Sequence, residues 1–413
     1  MTLPLALYGV ATGLLEPLAP KILRARAREG KEDPARLGER LGRTRTPRPA
    51  GPLAWLHGVS VGEAISLLPL IDALRARRPG LNLLITSGTV ASAQVLTQRL
   101  PPGVIHQFAP VDAPGAVRRF LDHWRPDLAV LVESELWPNL ILGARRRGVR
   151  LALVSARITE ASARGWGRLP ASARTLLAAF DAVLPQDAAT GARLAALGAA
   201  VGPRLNLKHV GDPLPCDDAE LARLRAAAGG RKVVLAASTH PGEEAIIARA
   251  VREAAPGALL VVAPRHPERG EAVASELAAP RRSAHALPDA GPVYVADTLG
   301  ELGLFFRLAD VTVMGGSFVP GIGGHNPLEP ARLGCAIVTG PDVFNAADLY
   351  AEMTAEGAAI QVADATGLAV AVRGLLDDPA AARRMGEAAR VYATRQGRAL
   401  ETALAALEPL LPA

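Results

Sequence analysis

Residues 52–63, Pro52-Leu53-Ala54-Trp55-Leu56-His57-Gly58-Val59-Ser60-Val61-Gly62-Glu63, carry the reading that decides the fold. A short apolar strand over 52–56 runs into a tight loop of small residues, Gly58, Ser60 and Gly62. Glu63 then opens an apolar-periodic helix over 64–74. A strand that passes through a glycine loop into a helix N-terminus is a ligand platform of a parallel α/β sheet. Glu63 at that mouth has two readings. It balances the positive end of the helix, or its carboxylate takes a proton from an incoming alcohol.

Beyond this stretch, short apolar runs alternate with helical ones, the pattern of βαβ units. Strands are expected at 53–56, 81–86, 104–107, 128–132, 151–155, 182–185 and 200–202, with helices such as 64–77, 90–99, 113–123 and 188–197 between them. Residues 205–218 contain Gly211, Pro213 and Pro215, show no period, and read as a linker. A second series follows, with strands at 232–237, 258–264, 293–296, 311–315 and 336–339. Its helices are expected at 242–254, 269–277, 299–308 and 327–333, with a helical Ala/Leu/Arg-rich end over 379–411. The expected architecture is α/β, with two doubly wound domains, 49–204 and 219–413, facing each other across a cleft. Residues 1–48 read as a separate N-terminal segment.

The bulk composition agrees. A chain of 413 residues is too long for one core. It is 49% hydrophobic and 21% charged, hence globular. Aromatics at 4% argue against stacking platforms for single-stranded nucleic acid, and no nucleic-acid partner is expected. Cys216 and Cys335 offer neither a disulfide framework nor zinc spacing, so a reducing compartment and no metal are expected. His57, His240, His266 and His325 each follow a strand and read as hydrogen-bonding loop residues, not ligands.

Charge is unevenly placed. Between Lys21 and Arg48 ten Lys/Arg face four acids, which accounts for the whole formal net charge of +6. An apolar run over 3–15 precedes this block. It is shorter than the ~20 residues a spanning helix needs, and its charges come after it, unlike a signal peptide. An apolar wedge followed by a polybasic stretch fits a segment lying on an anionic membrane surface. The other reading is a buried first helix with a solvated basic face.

Four clusters carry chemistry. Val132-Glu133-Ser134-Glu135-Leu136-Trp137-Pro138-Asn139 follows an apolar strand. Glu133 and Glu135 fall on one side of an extended backbone. Like charges so placed invite a cation, a proton or a polar substrate, and Trp137-Pro138 would shape a pocket wall. Ala237-Ser-Thr-His-Pro-Gly-Glu-Glu244 repeats the logic of the Glu63 loop. Val262-Ala-Pro-Arg-His-Pro-Glu-Arg269 offers Arg265 as a phosphate-binding fork, while Arg269 reads as a surface residue. In 314–331 a strand ends in Gly315-Gly316 and a glycine loop follows. Asn326 reads as N-cap and Pro327 as first helical residue. Such a helix start presents free N–H groups to an anion, and Glu329 in its first turn can accept from ribose hydroxyls. The spacing is neither a Walker loop nor a Rossmann fingerprint.

In order along the chain, HGVSVGE, VESELWPN, SARITEASARGW, NLK, ASTHPGEE, APRHPER, DTLGEL and GGHNPLEPA resemble the 3-deoxy-D-manno-octulosonic acid (Kdo) transferase family of the lipopolysaccharide inner core. The resemblance covers nearly the whole chain, from the basic block to Asn345. It implies a GT-B fold, two Rossmann-like domains facing a central cleft, with the acceptor on the first and a CMP-sugar on the second. It implies transfer of Kdo from CMP-Kdo to the 6′-hydroxyl of a tetra-acylated lipid A precursor (lipid IVA), with inversion at the anomeric carbon. The place implied is the cytoplasmic face of the cell inner membrane, whose anionic surface would hold the lipid. The resemblance puts the general base at Glu63 and transition-state support at Glu133 and Lys208. It puts nucleotide contacts at Pro264 and Arg265, at Leu299, Gly300 and Glu301, and at Asn326, Pro327, Leu328 and Glu329. No cofactor or metal is implied, since CMP-Kdo is a donor substrate.

The chain departs from the family pattern in three places. His209-Val210 follow Lys208 where Phe-Asp is usual, the loop over 318–322 is slightly longer, and Ser155 stands before Ala156-Arg157 where an Asn is usual. Two alternatives stand beside this reading. One is another membrane-associated GT-B enzyme, such as a lipid A disaccharide synthase using a UDP-sugar, which protection by UDP and not CMP would distinguish. The other is a catalytically silent nucleotide-binding or scaffolding protein, which Glu63→Ala would leave unchanged.

Overall fold

Parallel strands are covered by helices on both faces, so they read as continuous apolar runs. In the first half of the chain those runs become β1 (Leu53–His57), β2 (Asn82–Ser87), β3 (Ile105–Phe108), β4 (Leu128–Val132), β5 (Arg150–Ala156) and β6 (Ala182–Pro185). The computed structural model describes residues 2–133, 136–288 and 291–412. The six strands form one parallel sheet in the order β3-β2-β1-β4-β5-β6. Every residue of β1 and β4 is buried. Trp55, Phe120 and Trp124 pack on one face of the sheet, and Leu56, Leu70, Ile71 and Leu74 on the other. The two buried indoles are satisfied: Trp55 Nε1 donates to Thr86 Oγ1 and Trp124 Nε1 to Gln107 Oε1, each at 2.8 Å. The strand order reverses between β1 and β4, and a crevice opens at the carboxyl ends of such a pair.

A second sheet is built the same way from β7 (Val233–Thr239), β8 (Leu259–Pro264), β9 (Val293–Val295), β10 (Val311–Met314), β11 (Ile337–Thr339) and β12 (Ile360–Gln361). Its order is β12-β11-β10-β7-β8-β9, so its reversal lies between β7 and β10. β12 was not anticipated, because two residues carry no period. The strand expected at 200–202 is a single bridge between Val183 and Val201. The helix expected over 64–77 is two, Val61–Ser66 and Leu68–Arg77. Pro69 cannot donate to the preceding turn and starts the second helix instead.

The chain divides into two units, Met1–Gly211 with Gln396–Ala413, and Asp212–Arg395. The expected assignment of all of 219–413 to the second domain differs here. Helix Ala399–Leu407 places Ala403, Leu404 and Leu407 in the same cluster as Leu56, Leu74 and Leu205 of the first unit. Arg78 pairs with Glu408 at 2.6 Å at its end.

Residues 1–48 are likewise part of the first unit, and their leading helix is inside out. Helix Leu3–Leu15 turns its polar side to the protein. Tyr8 donates to Asp112 at 3.0 Å, Asn139 donates to Thr12 Oγ1 at 2.9 Å, and Glu16 at its end accepts from Arg119 and from Gly115 N. Burial raises the pKa of the Asp112 carboxyl, which also accepts from the N–H groups of Asn139 and Leu140. Leu3, Leu7, Val10 and Leu14, at helical spacing, are exposed, and Leu18 and Ile22 extend the stripe. Among the described residues no helix is long and apolar enough to cross a membrane.

The basic block is not wholly a solvated face. Arg26 and Arg40 bind the buried Glu32, Arg36 binds Glu39 and the His106 ring, and Arg48 donates to the Trp124 carbonyl at 2.7 Å. Lys21, Arg24, Arg28, Arg43 and Arg45 have no side-chain hydrogen bond or ion pair among the described residues.

All four tryptophans (Trp55, Trp124, Trp137 and Trp166) lie in the first unit. Truncating Leu404 to Ala empties a fully packed site and should destabilise that unit by about 2–5 kcal/mol. Urea denaturation followed by tryptophan fluorescence reads this directly, and an unchanged midpoint would contradict the docking of the C-terminal helix.

Candidate active site

At the reversal point of the first sheet three sequence-predicted residues come together. β1 ends in the buried His57, whose Nδ1 lies 2.8 Å from Thr86 Oγ1. The chain must then turn tightly. A Cβ at Gly58 would stand 3.0 Å from Glu63 Cβ, so only glycine lets the strand end pass the helix start. Ser60 caps helix Val61–Ser66 by accepting from Glu63 N. The Glu63 side chain reaches back, Oε2 accepting from Val59 N at 2.7 Å and Oε1 from Ser60 Oγ at 2.8 Å. This is reciprocal capping, which gives Glu63 a structural role. A carboxylate oxygen has two lone pairs, however, and each oxygen keeps one beyond these bonds. The residue is only 8% exposed.

Glu133 follows β4 with φ +59°, a left-handed conformation that is strained for a side-chain-bearing residue. Its carboxylate is ion-paired with Lys208 Nζ. Lys208 is held in turn by the residue before it, because Leu207 N donates to Ser155 Oγ at 2.9 Å. Ser155 also has a positive φ, +52°, at a register shift between β5 and β6. A Cβ at Gly62 would lie 3.6 Å from Lys208 Cε, so the lysine stem lies over the loop that carries Glu63. The partner expected for Glu133, Glu135, lies outside the described residues together with Ser134. The role of Ser155 was not read from the sequence, where it appeared only as a lost amide.

In the second unit a buried acid organises the loops. Glu243 is fully buried at the start of helix Glu243–Ala254, and its two oxygens accept from four backbone N–H groups. These are His240 at 2.9 Å, Gly316 at 2.6 Å, and Ser317 and Phe318 at 2.8 Å. The glycine loop after β10 is thus tied to the loop after β7. Its neighbour Glu244, also fully buried, accepts from Thr239 Oγ1 and from Arg269 Nη1 at 2.8 Å. Arg269 is therefore an anchor of the site floor and not a surface residue, because a buried carboxylate requires a cation or donors beside it. His57 and His240 are hydrogen-bonded as expected, although His57 belongs to the strand itself.

The residues expected to meet the nucleotide lie on neighbouring segments. Pro264 ends β8 and is buried, and the Arg265 after it is exposed, with no side-chain hydrogen bond or ion pair among the described residues. Glu329 is half-buried with no hydrogen-bond partner among the described residues, and burial raises its carboxyl pKa above the ordinary value. Leu299 is 84% exposed beside Gly300. Glu301 is engaged by Arg282 and Thr298, and Arg282 also binds Glu220.

The helix start differs from the expected one. Asn326 Oδ1 accepts from Leu328 N at 3.0 Å, so that N–H is already used, and the helix is only Leu328–Arg332. Pro327 and Leu328 are buried in the core. A helix of barely more than one turn sums few peptide dipoles, so positive potential here comes from Arg265 and not from the helix end. Among the described residues no group of three His, Cys, Asp or Glu side chains is placed to hold a metal ion.

Comparison with known proteins bears on this arrangement. A family model described as 3-deoxy-D-manno-octulosonic-acid transferase (kdotransferase) matches residues 35–210. The 3-deoxy-D-manno-octulosonic acid transferase of Bordetella pertussis is 38% identical over 431 residues, covering 98% of this chain and 99% of the relative. Among solved structures, a glycosyltransferase from Rickettsia africae superposes with TM-score 0.59 at 12% identity, covering 88% of this chain and 99% of the other. MurG of Acinetobacter baumannii superposes with TM-score 0.55 at 12% identity, covering 86% and 99%. These two likenesses concern the fold, which is GT-B with two parallel-sheet α/β domains.

Glu243→Gln replaces two acceptor oxygens by one and turns an NH2 toward backbone donors. Each stranded N–H costs about 1–3 kcal/mol. Amide hydrogen exchange over 315–318 should accelerate at least tenfold, with exchange in the first sheet unchanged. Equal protection in the variant would show that Glu243 does not hold the loop.

Proposed function

The chain belongs to the 3-deoxy-D-manno-octulosonic acid transferase family and is a glycosyltransferase, and from this premise we propose that it moves Kdo from CMP-Kdo to the 6′-hydroxyl of a lipid A precursor (lipid IVA). The observation that carries the reading is the buried Glu63 carboxylate beside the Glu133–Lys208 pair at the reversal point of the first sheet.

In this reading Glu63 accepts the proton of the acceptor hydroxyl. The freed oxygen attacks the anomeric carbon of Kdo, and the bond from that carbon to the CMP phosphate oxygen breaks. Its electron pair stays on the phosphate, and attack opposite the leaving group inverts the centre. The two hydrogen bonds that hold Glu63 orient the base before the acceptor arrives, which is the positional part of catalysis. Lys208 keeps a charge next to the reacting groups while Glu133 limits its reach.

The second unit holds the donor. Arg265 has a guanidinium without an internal partner and offers two parallel donors to phosphate oxygens. Glu329 accepts from ribose hydroxyls, which supplies the hydrogen bonds its half-buried carboxyl lacks. Leu299 and Gly300 give the base an apolar surface and close backbone approach. Glu301, Asn326, Pro327 and Leu328 shape this wall through backbone and packing, since their side chains are engaged or buried. No step is assigned to a metal or cofactor.

The inside-out helix supports a place on the anionic inner-membrane surface at its cytoplasmic face. Leu3 and Leu14 are 72% and 76% exposed while the opposite side is hydrogen-bonded to the protein. Lys21, Arg24 and Arg28 continue from that stripe on helix Ala19–Arg28. Apolar insertion together with basic residues near headgroups gives membrane affinity without a span.

Glu63→Gln keeps the size of the side chain but removes the base. With CMP-Kdo generated in situ and a tetra-acylated lipid A precursor, product measured by mass spectrometry should fall by a factor on the order of 10²–10⁴. Normal turnover by the folded variant would refute the role of Glu63. The double variant Leu7→Glu, Leu14→Glu alters exposed positions only. It should leave the fold intact and shift the protein from anionic vesicles to the supernatant in a flotation assay, and unchanged flotation would sink the membrane reading.

A further inference from the structure

Two histidines of the second unit have no part in the scheme above, yet they occupy its reversal point. His240 follows β7 and His325 lies in the loop after β10, the two strands between which the sheet order turns. Their rings are stacked, 12° apart in plane with centroids at 5.1 Å, and Nε2 lies 2.9 Å from Nε2. Two imidazole nitrogens at that distance share one proton. The backbone of Ser238 is hydrogen-bonded to the His325 ring and favours its protonated nitrogen. His325 therefore keeps a proton on Nδ1 and offers the Nε2 lone pair, and His240 donates from Nε2. Among the described residues, the one ring position of the pair left without a partner is His240 Nδ1.

The contact is built, not incidental. Gly316, at φ +70°, is where a Cβ would stand 2.9 Å from His325 Nε2, so a glycine is required for the ring to approach. Tyr350 donates to the His325 carbonyl at 2.9 Å. Glu243 accepts from the backbone of both loops.

Charged and titratable groups face the pair from three segments. From helix Glu243–Ala254 comes Glu243, whose charge is dispersed over four N–H donors. From the segment after β8 come Arg265, His266 and Arg269, the last already paired with Glu244. From the segment that continues from His325 comes Glu329, whose carboxyl interacts with Arg265, and Arg265 has no side-chain hydrogen bond or ion pair among the described residues. Burial and these cations hold both rings neutral, and His325 is pushed down to about 4. On the expected nucleotide surface the pair lies between its two halves. Arg265 directly follows β8, the strand beside β7, and Asn326 directly follows His325.

We propose that the His240–His325 pair receives the phosphate of the donor and takes up one proton from solvent when the anionic nucleotide binds. This rests on the reading that the second unit binds CMP-Kdo. An anionic phosphate beside Arg265 offsets that cation's share of the effect, and a phosphate oxygen within reach of His240 Nδ1 favours the protonated ring against burial. His240 then becomes imidazolium, still donating from Nε2 to His325 and now donating from Nδ1 to a phosphate oxygen. No covalent bond to the protein forms. When Kdo leaves, the phosphate passes from a singly charged diester to a doubly charged monoester, and the imidazolium balances the added charge. The proton returns to solvent when CMP dissociates.

The test is CMP binding by calorimetry near pH 7.5 in buffers of different ionisation enthalpy, with cytidine as control. A phosphate monoester has its second ionisation near pH ~6, so CMP itself takes up little proton there. The expected result is uptake of about half to one proton per CMP and none with cytidine. CMP affinity should fall up to about tenfold per pH unit above neutrality, as linkage requires. His240→Gln should abolish the uptake and flatten the pH dependence. Should that variant not fold, nitrogen-15 shifts of the histidine rings in the unaltered protein report the same event as conversion of His240 to imidazolium on adding CMP. CMP binding without proton uptake, or with uptake unchanged in His240→Gln, overturns the proposal while leaving the donor reading intact. A folded protein that binds no CMP overturns both.

Discussion

Buried carboxylates surrounded by backbone N–H groups hold the loops of this molecule in place. Glu63 takes the N–H of Val59 and the hydroxyl of Ser60. Glu243 takes four N–H groups from two loops. Asp112 takes the first two N–H groups free at the start of helix Pro138–Arg146. At the opposite ends of the sheets Asp127, Asp181 and Asp310 accept from the first residues of β1, β5 and β7 or their neighbours. A parallel sheet leaves N–H groups unpaired at the loops that follow its strands, and a buried unpaired donor is expensive. An acid that collects several donors satisfies them at once and remains compatible with burial. The candidate site residues inherit their positions from this arrangement.

The first unit combines two environments that ordinarily exclude each other. Its leading helix exposes leucine and hides tyrosine, threonine and glutamate. A contiguous apolar stripe on a soluble surface marks an interaction face, and the hydrogen bonds on the hidden side fix its direction. Those bonds run through Asp112 and Asn139 to helix Pro138–Arg146, which begins just after the segment carrying Glu133. The exposed apolar stripe is thus hydrogen-bonded, through Asp112 and Asn139, to the helix that starts five residues after Glu133.

In the second unit most of the charge around the loops is paired internally. Arg269 and Arg282 are neutralised by Glu244, Glu220 and Glu301, and Glu243 by backbone donors. Arg265 alone of these is left without an ion pair, beside two histidines kept neutral by burial and by the cations around them. In the proposed reading, an anion entering here meets Arg265 as a ready cation and His240 as the group that takes up the proton.

The sequence by itself determined the alternation of strands and helices and the chemistry of the loops, because period and turn residues are local. Glu63, Glu133, Arg265 and the 315–329 loop were legible for that reason. The break at Pro69 was also local, but apolar periodicity on both sides of it masked it. What tertiary structure decided depends on contacts between residues far apart in the chain. Lys208 meets Glu133 only because Ser155, at a strained corner of β5, holds Leu207. Arg269 reads as exposed in a run of polar residues and is drawn to a half-buried position only because the buried Glu244 faces it. Half of the basic N-terminal block is spent on internal carboxylates and carbonyls, which no count of charges reveals. The pairing of His240 with His325, eighty-five residues apart, follows from strand order. Local pattern specifies what each segment can be; the order of strands in a sheet, set by packing and twist over the whole domain, specifies which side chains meet.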